Sequence, residues 1–340
     1  MKNTLTALLL AGAMSFGAQA GTLEDVQNRG ELICGVAVGL PGFAAPDDSG
    51  KMRGIDADVC YAIAAAVIGD RDKVKFVPLT AKERFDALSG GEIDVLSRNT
   101  THTLTRDASL GLNFTYYNFI DGQGFLAKKD LGVSSAKELD GARVCVQSGT
   151  TTEANLADFF RSNGMQFEQI AYDTSPQTRE GFEGGACDVL TSDKSQLAAI
   201  RSELANPSSA IVMPETISKE PLGPVVRQGD DEWFNLVKWT LFAIINAEEM
   251  GVSSDNADKM KSSNDPGIKR LLGSEGDLCK LVSDRLDKDC FARAIKQVGN
   301  YGEIYEANVG ENTPLGLIRA GSPNDLWSRP GGILYAPPIR

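Results

Sequence analysis

The chain is poor in histidine. It has one, His102, in 340 residues, and no two cysteines form a Cys-x-x-Cys pair. That removes the usual zinc and dithiol redox arrangements. Any Ser-His-Asp set would have to use His102. No metal and no cofactor is expected. Basic charge is also in deficit: 34 Lys and Arg stand against 46 Asp and Glu, a net charge of −12. This argues against nucleic acid and against an anionic membrane surface as partner. Beyond residue 20 no apolar run is long enough to cross a bilayer, and no low-complexity segment occurs.

Residues 1–20 read as a secretory signal peptide. Lys2 is the charged start, Leu5 to Ala13 the mostly apolar centre, and Ala18-Gln19-Ala20 a small-x-small cleavage site. The other 320 residues (340 minus 20) suffice for one large domain or two medium ones. Six cysteines in an exported chain suggest three disulfides.

The stretch around which the chain is organised runs from Gly90 to Arg106. A helical run, Glu83 to Ser89, stops at Gly90-Gly91, and Ile93 to Leu96 is expected as a short buried strand. At its carboxyl end six hydroxyl or amide side chains and two arginines, Arg98 and Arg106, follow within ten residues. Open α/β sheets bind ligands just beyond such strand ends. The pattern recurs without a gap at Gly184-Gly185-Ala186-Cys187-Asp188-Val189-Leu190-Thr191-Ser192-Asp193. Asn99 closes one copy and Asp193 the other. A second repeat joins Gly30 to Gly39 with Gly141 to Gly149, each a strand with a central cysteine and a glycine exit. Two similar α/β units follow, their polar strand ends facing across a cleft.

Between the repeats, Ile55 to Val67 is expected as an amphipathic helix with Asp56 and Asp58 at its positive end. Val74 to Pro78 is a strand. Thr80 and Glu83 have capping-box spacing, as do Thr150 and Glu153 before the helix Ala154 to Phe160. The Gly149-Thr150 start exposes backbone N–H groups suited to an anion. Phe119 to Leu126 and Pro221 to Val226 are extended, and Trp233 to Met250 is a long amphipathic helix. Beyond Asn264 the chain is helical with loops, then rich in Gly and Pro.

Gly54-Ile55-Asp56-Ala57-Asp58, Ile93-Asp94-Val95, the hydroxyl-rich run ending in Arg106, Gly149-Thr150-Thr151-Thr152-Glu153, and Cys187-Asp188-Val189 running to Asp193 stand in one order and spacing. Together they resemble the periplasmic polar-amino-acid-binding proteins of ABC uptake systems, and more narrowly the general L-amino-acid-binding subfamily. The resemblance implies a type II periplasmic-binding-protein fold: two α/β lobes joined by two crossing hinge strands. Residues 21–122 and 222–340 would form lobe 1, and 123–221 lobe 2. It also implies a periplasmic monomer that captures an L-amino acid and delivers it to a membrane permease. By motif, Arg106 resembles the clamp for the ligand α-carboxylate, as a planar guanidinium can be. Asp193 matches the acid that receives the α-ammonium, unless it merely caps a helix. Thr101 and Asn99 would contact the zwitterion from lobe 1, and Thr150, Thr151 and Thr152 from lobe 2.

Two positions depart from many relatives. Arg98 stands where a small residue is common. It is expected either to meet a ligand side chain or to pair on the surface with Asp188 or Asp193. An aromatic often stacks on the ligand from the first loop; Leu40 and Phe43 are the two candidates for that place here. His102 reads as a lobe-surface residue. The ligands expected are glutamate, glutamine, aspartate and asparagine, with others accepted more weakly. The alternative is an exported enzyme on the same scaffold, such as a cyclohexadienyl-type dehydratase. With lobes assigned, the cysteines are expected to pair within them, as Cys34–Cys60, Cys145–Cys187 and Cys279–Cys290, which leaves the hinge free.

Overall fold

The computed structural model describes residues 21–340; the expected signal peptide lies outside the described residues. The chain lays down β1 (Leu32–Ala37), β2 (Val74–Leu79), β3 (Val95–Leu96) and β4 (Leu112–Phe114), then crosses on β5 (Phe119–Asp121). It continues through β6 (Gln123–Lys128), β7 (Ala142–Gln147), β8 (Phe167–Tyr172), β9 (Val189–Asp193) and β10 (Ala210–Val212). It returns on β11 (Glu220–Leu222), and β12 (Val225–Arg227) enters the first sheet. The result is two five-stranded sheets, ordered β2-β1-β3-β12-β4 and β8-β7-β9-β6-β10. In each, the strands of the repeated units run parallel. The strands that adjoin the crossings pair antiparallel. β5 and β11 pair antiparallel between the lobes, with Glu220 opposite Asp121.

The Gly-Gly repeat closes both units with one set of backbone bonds. Gly91 and Gly185 take φ of 76° and 78°, which glycine adopts without steric cost. The Glu92 N–H donates to the Ala87 carbonyl and the Ala186 N–H to the Gly181 carbonyl, at 3.0 and 2.9 Å. The aspartate of each Asp-Val-Leu then holds an arginine at the foot of its own sheet. Asp94 accepts from Arg29 and from the Ile33 N–H. Asp188 takes Arg143 bidentately at 2.9 and 2.8 Å. Asp188 is therefore not available to Arg98.

Three disulfides join Cys34 to Cys60, Cys145 to Cys187 and Cys279 to Cys290. Of the two expected capping boxes one closes and the other forms only half. Thr80 and Glu83 bond reciprocally. Thr150 Oγ1 accepts from the Glu153 N–H, whereas the Glu153 carboxylate reaches past it to the Gly149 N–H.

Two expectations need correction. Ile93 and Asp94 lie outside the ladder; only Val95 and Leu96 of that run pair as strand. The helix α1 (Ile55–Ile68) is not amphipathic, since Ile55–Ala57 and Val59–Val67 are all buried. One face lies on β1. The other is covered by helices from the far end of the chain, Asp231–Glu249, Cys290–Val298 and Tyr301–Asn308. The Gly/Pro-rich tail also packs into the first lobe: Leu326, Leu334, Ala336 and Ile339 join its core. Asn324 brackets the crossing strand, accepting from the Ile120 N–H at 2.7 Å and donating to the Ile120 carbonyl at 2.8 Å.

Candidate functional site

The polar strand ends of both sheets meet beside the crossing strands. The lobes touch there through the Thr101 and Thr151 hydroxyl oxygens, 3.3 Å apart, and through Asn99 Nδ2, which donates to Gln196 Oε1 at 3.2 Å. Further out, Lys82 pairs with Asp173 at 2.7 Å. Gly149 has φ of 75°, and a Cβ on it would come within 2.9 Å of Lys82 Cγ. Backbone conformation and the closeness of the facing lobe both call for glycine there.

Lobe 1 supplies three buried arginines. Arg106 lies on the helix Leu104–Ser109, capped by Thr103, and its Nη1 donates to the Thr101 carbonyl at 2.9 Å. Arg98 follows β3 directly and is 3 % exposed, so it is not a surface group. Its Nε donates to the Leu79 carbonyl at 3.0 Å and its Nη1 to Asn99 Oδ1 at 3.3 Å. Arg84, on the helix Arg84–Ser89, has one hydrogen bond, to Thr100 Oγ1 at 3.3 Å, and its Nε is buried without a partner. The Arg84 and Arg106 guanidinium groups both lie over the Phe85 ring, at 4.8 and 5.2 Å. Burial, then repulsion from Arg98 and Arg106, lowers the Arg84 pKa well below its ordinary value. Burial brings Arg98 down to about 10 against the pull of Asp56. Three cations this close and this dry call for an anion.

The facing side is acidic. Asp193 begins the helix Lys194–Ser202, but its side chain makes no capping bond and its Oδ1 is buried without a partner. The capping explanation therefore fails. Burial, then the neighbouring Asp121 and Glu220, push its carboxyl well above the usual range. Asp121 accepts from the Gly122 and Ser195 N–H groups. Glu220 accepts from Thr101 and Thr151. Beside Arg98 lies a buried acid of lobe 1, Asp56. It takes the Asn99 N–H at 2.6 Å and Asn118 Nδ2 at 2.7 Å, and burial raises it to about 6. That bond fixes Asn99 in a left-handed turn, φ 32°, which asparagine tolerates better than most residues.

The expected residues divide. Arg98, Asn99, Thr101, Arg106, Thr151 and Asp193 converge on the region between the lobes. The Thr150 and Thr152 hydroxyls bond each other at 2.8 Å, and Thr150 also donates to the Gln147 carbonyl. Of the three threonines only Thr151 reaches the crossing strand with its side chain. Phe43 is buried edge-on to Phe119, at 5.3 Å, in the lobe 1 core that also holds Leu40. His102 is half-buried and stacks on Phe114 at 4.4 Å.

Sequence reading missed Arg84, Asp121 and Glu220. Signals existed for two of them. Arg84 opens a helix, where the macrodipole disfavours a cation. Glu220 stands in a strand, where acids are depleted.

Two lobes of this topology, with polar strand ends meeting at crossing strands, define an extracellular solute-binding architecture. Residues 32–256 match the bacterial extracellular solute-binding proteins, family 3, and the chain belongs to that family. It is 53 % identical to the general L-amino acid-binding periplasmic protein AapJ of Rhizobium johnstonii, with 100 % of each chain covered. It is 52 % identical to the glutamate/glutamine/aspartate/asparagine-binding protein BztA of Rhodobacter capsulatus, over 98 % of this chain and 96 % of that one. Among solved structures it is similar to an ABC transporter periplasmic binding protein from Brucella ovis with glutathione bound. That match has a TM-score of 0.91 and 48 % identity, and covers 95 % of this chain and 100 % of the other.

Proposed function

We propose that this chain is a monomeric periplasmic receptor of an ABC uptake system. It captures L-amino acids between its lobes, favours glutamate, glutamine, aspartate and asparagine, and hands them to a membrane permease. The observation that carries this reading is the polarity of the site. Three buried arginines on lobe 1 face Asp193 on lobe 2, and Arg84 Nε and Asp193 Oδ1 both lack partners. A zwitterion supplies the missing anion to one side and the missing ammonium to the other. Arg106 takes the α-carboxylate and Asp193 the α-ammonium, with Thr101 and Thr151 beside them. The cations left over suit a second carboxylate or an amide.

The reading assigns no catalytic step. Glu153, the spare carboxylate nearest the cleft in sequence, is turned to the Gly149 N–H and to Gln169 Nε2. A second ligand class deserves a place in the same assay. The Brucella ovis relative holds glutathione, whose γ-linked glutamyl end keeps a free α-carboxylate and α-ammonium, the groups this clamp fits. Protein unfolded and refolded to strip carried-over ligand is titrated calorimetrically with the twenty amino acids and glutathione. The four acidic and amide amino acids are expected to bind tightest. Failure of every ligand to bind overturns the receptor reading.

A further inference from the structure

Glu220 lies on β11, 1 % exposed, between the two lobes. Its Oε2 accepts from Thr101 Oγ1 of lobe 1 at 2.7 Å and from Thr151 Oγ1 of lobe 2 at 2.9 Å. Its Oε1 accepts from Asn155 Nδ2 at 2.9 Å and from the Ser218 hydroxyl. A carboxylate has about four lone-pair sites, and four protein donors fill them. None is left for a ligand.

We propose that Glu220 is a positioning residue for the ligand ammonium: it takes the hydroxyl protons of Thr101 and Thr151 and so turns one acceptor from each lobe toward the same point. The inference rests on the amino-acid reading above. A threonine hydroxyl has one proton. If both protons go to Glu220, neither threonine can donate to the other across their 3.3 Å separation. Two acceptors then face each other at close range, which is favourable only with a donor between them. A primary ammonium carries three N–H donors. Asp193 Oδ1, buried and unpartnered, is the third acceptor. The arrangement is completed only when the lobes are together, because Thr101 and Thr151 belong to different ones. Capture of the ammonium and approach of the lobes thereby become one event.

Substitutions separate positioning from charge. Glu220→Ala removes the acceptor and is expected to weaken L-glutamate about tenfold or more. Glu220→Gln keeps an amide oxygen for both hydroxyls, with its NH2 facing a flipped Asn155, and is expected to stay within about threefold of the parent. In a Thr101→Val, Thr151→Val background, Glu220→Ala is expected to cost less than about threefold more. Equal loss in the Gln and Ala variants would mean that the negative charge itself is needed, and would overturn the proposal. So would an undiminished Ala effect in the double-valine background. If Glu220→Ala does not fold, the half-buried Thr151 carries the test. Thr151→Val must lose affinity about tenfold while Thr151→Ser retains it, and a Thr151→Val protein that binds like the parent ends the proposal. A parent protein that binds no amino acid would instead refute the receptor reading itself.

Discussion

The two Gly-Gly-x-x-Asp-Val-Leu copies share a foot and differ at the tip. At the foot both use a left-handed second glycine, the same turn bonds and an aspartate that holds an arginine. At the tip the first copy leads through Ser97 to Arg98 and Asn99, with Arg106 and Arg84 close by. The second ends in Thr191, Ser192 and Asp193. One tip is cationic and the other anionic. The foot is maintained by folding, since its groups pair within their own lobe. The tips pair incompletely within theirs, as Arg84 Nε and Asp193 Oδ1 illustrate. Incomplete pairing of opposite sign on facing lobes is what a bound zwitterion would resolve.

The largest way to break this opposition is to remove the clamp. Arg106→Ala is expected to weaken every amino acid by about 2–5 kcal/mol, since it leaves a buried carboxylate without its partner. Calorimetry with glutamate, glutamine and leucine checks this. A loss confined to acidic ligands would assign Arg106 to the side chain instead of the α-carboxylate.

A smaller effect tests the acid beneath the cationic tip. Burial raises Asp56 to about 6, above the ordinary 3.8. The native state therefore keeps a proton that the unfolded chain releases between about pH 4 and pH 6. The protonated acid's advantage is fully present below the unfolded value and is lost as pH rises through the folded one. Two units correspond to at most about 3 kcal/mol. Asp58, Asp94, Asp121 and Asp193 are also raised by burial. They contribute with the same sign to parent and variant alike, so only the difference between the proteins is diagnostic. Urea unfolding should show the parent losing stability relative to Asp56→Asn from pH 4 to pH 6, then holding level. A difference flat across that range would show that Asp56 is not raised.

The feet of the repeat were legible because turn chemistry is local: in the first copy a capping box, Gly-Gly and the Asp-Val-Leu run all lie between Thr80 and Leu96. The disulfides were legible once the lobes were, because topology limits which cysteines meet. The hub at Glu220 was not. Its partners Thr101 and Thr151 lie 119 and 69 residues away, and no local pattern announces a carboxylate shared between lobes. The helix α1 was misread for the same reason. Periodicity reports one buried face, but helices more than 160 residues downstream bury the other. The tail that holds Ile120 through Asn324 is 204 residues from it, and its Gly and Pro content resembles a loop until the partner is known.

The smallest effect separates the two arginines beyond the clamp. Arg98 was the cation expected from sequence to read side chains. In the structure two of its hydrogen bonds go to its own lobe, Leu79 and Asn99, and Asp56 offsets its charge. Arg84 has one such bond, an unpartnered Nε, and two like charges as neighbours. A ligand carboxylate gains more from the cation that is less satisfied. Arg84→Ala should therefore weaken glutamate more than leucine by about 1.5–2 kcal/mol, the lower part of the range for a hydrogen bond to a charged group. Arg98→Ala should shift that difference less, and lower the melting temperature more, because it abandons the Leu79 carbonyl and leaves Asp56 without its nearest cation. Titrating glutamate and leucine into both variants decides the matter. A larger glutamate-specific loss in Arg98→Ala returns side-chain reading to Arg98. Equal losses for glutamate and leucine in both variants would mean that neither arginine reads the side chain, and that the cationic tip serves the α-carboxylate alone.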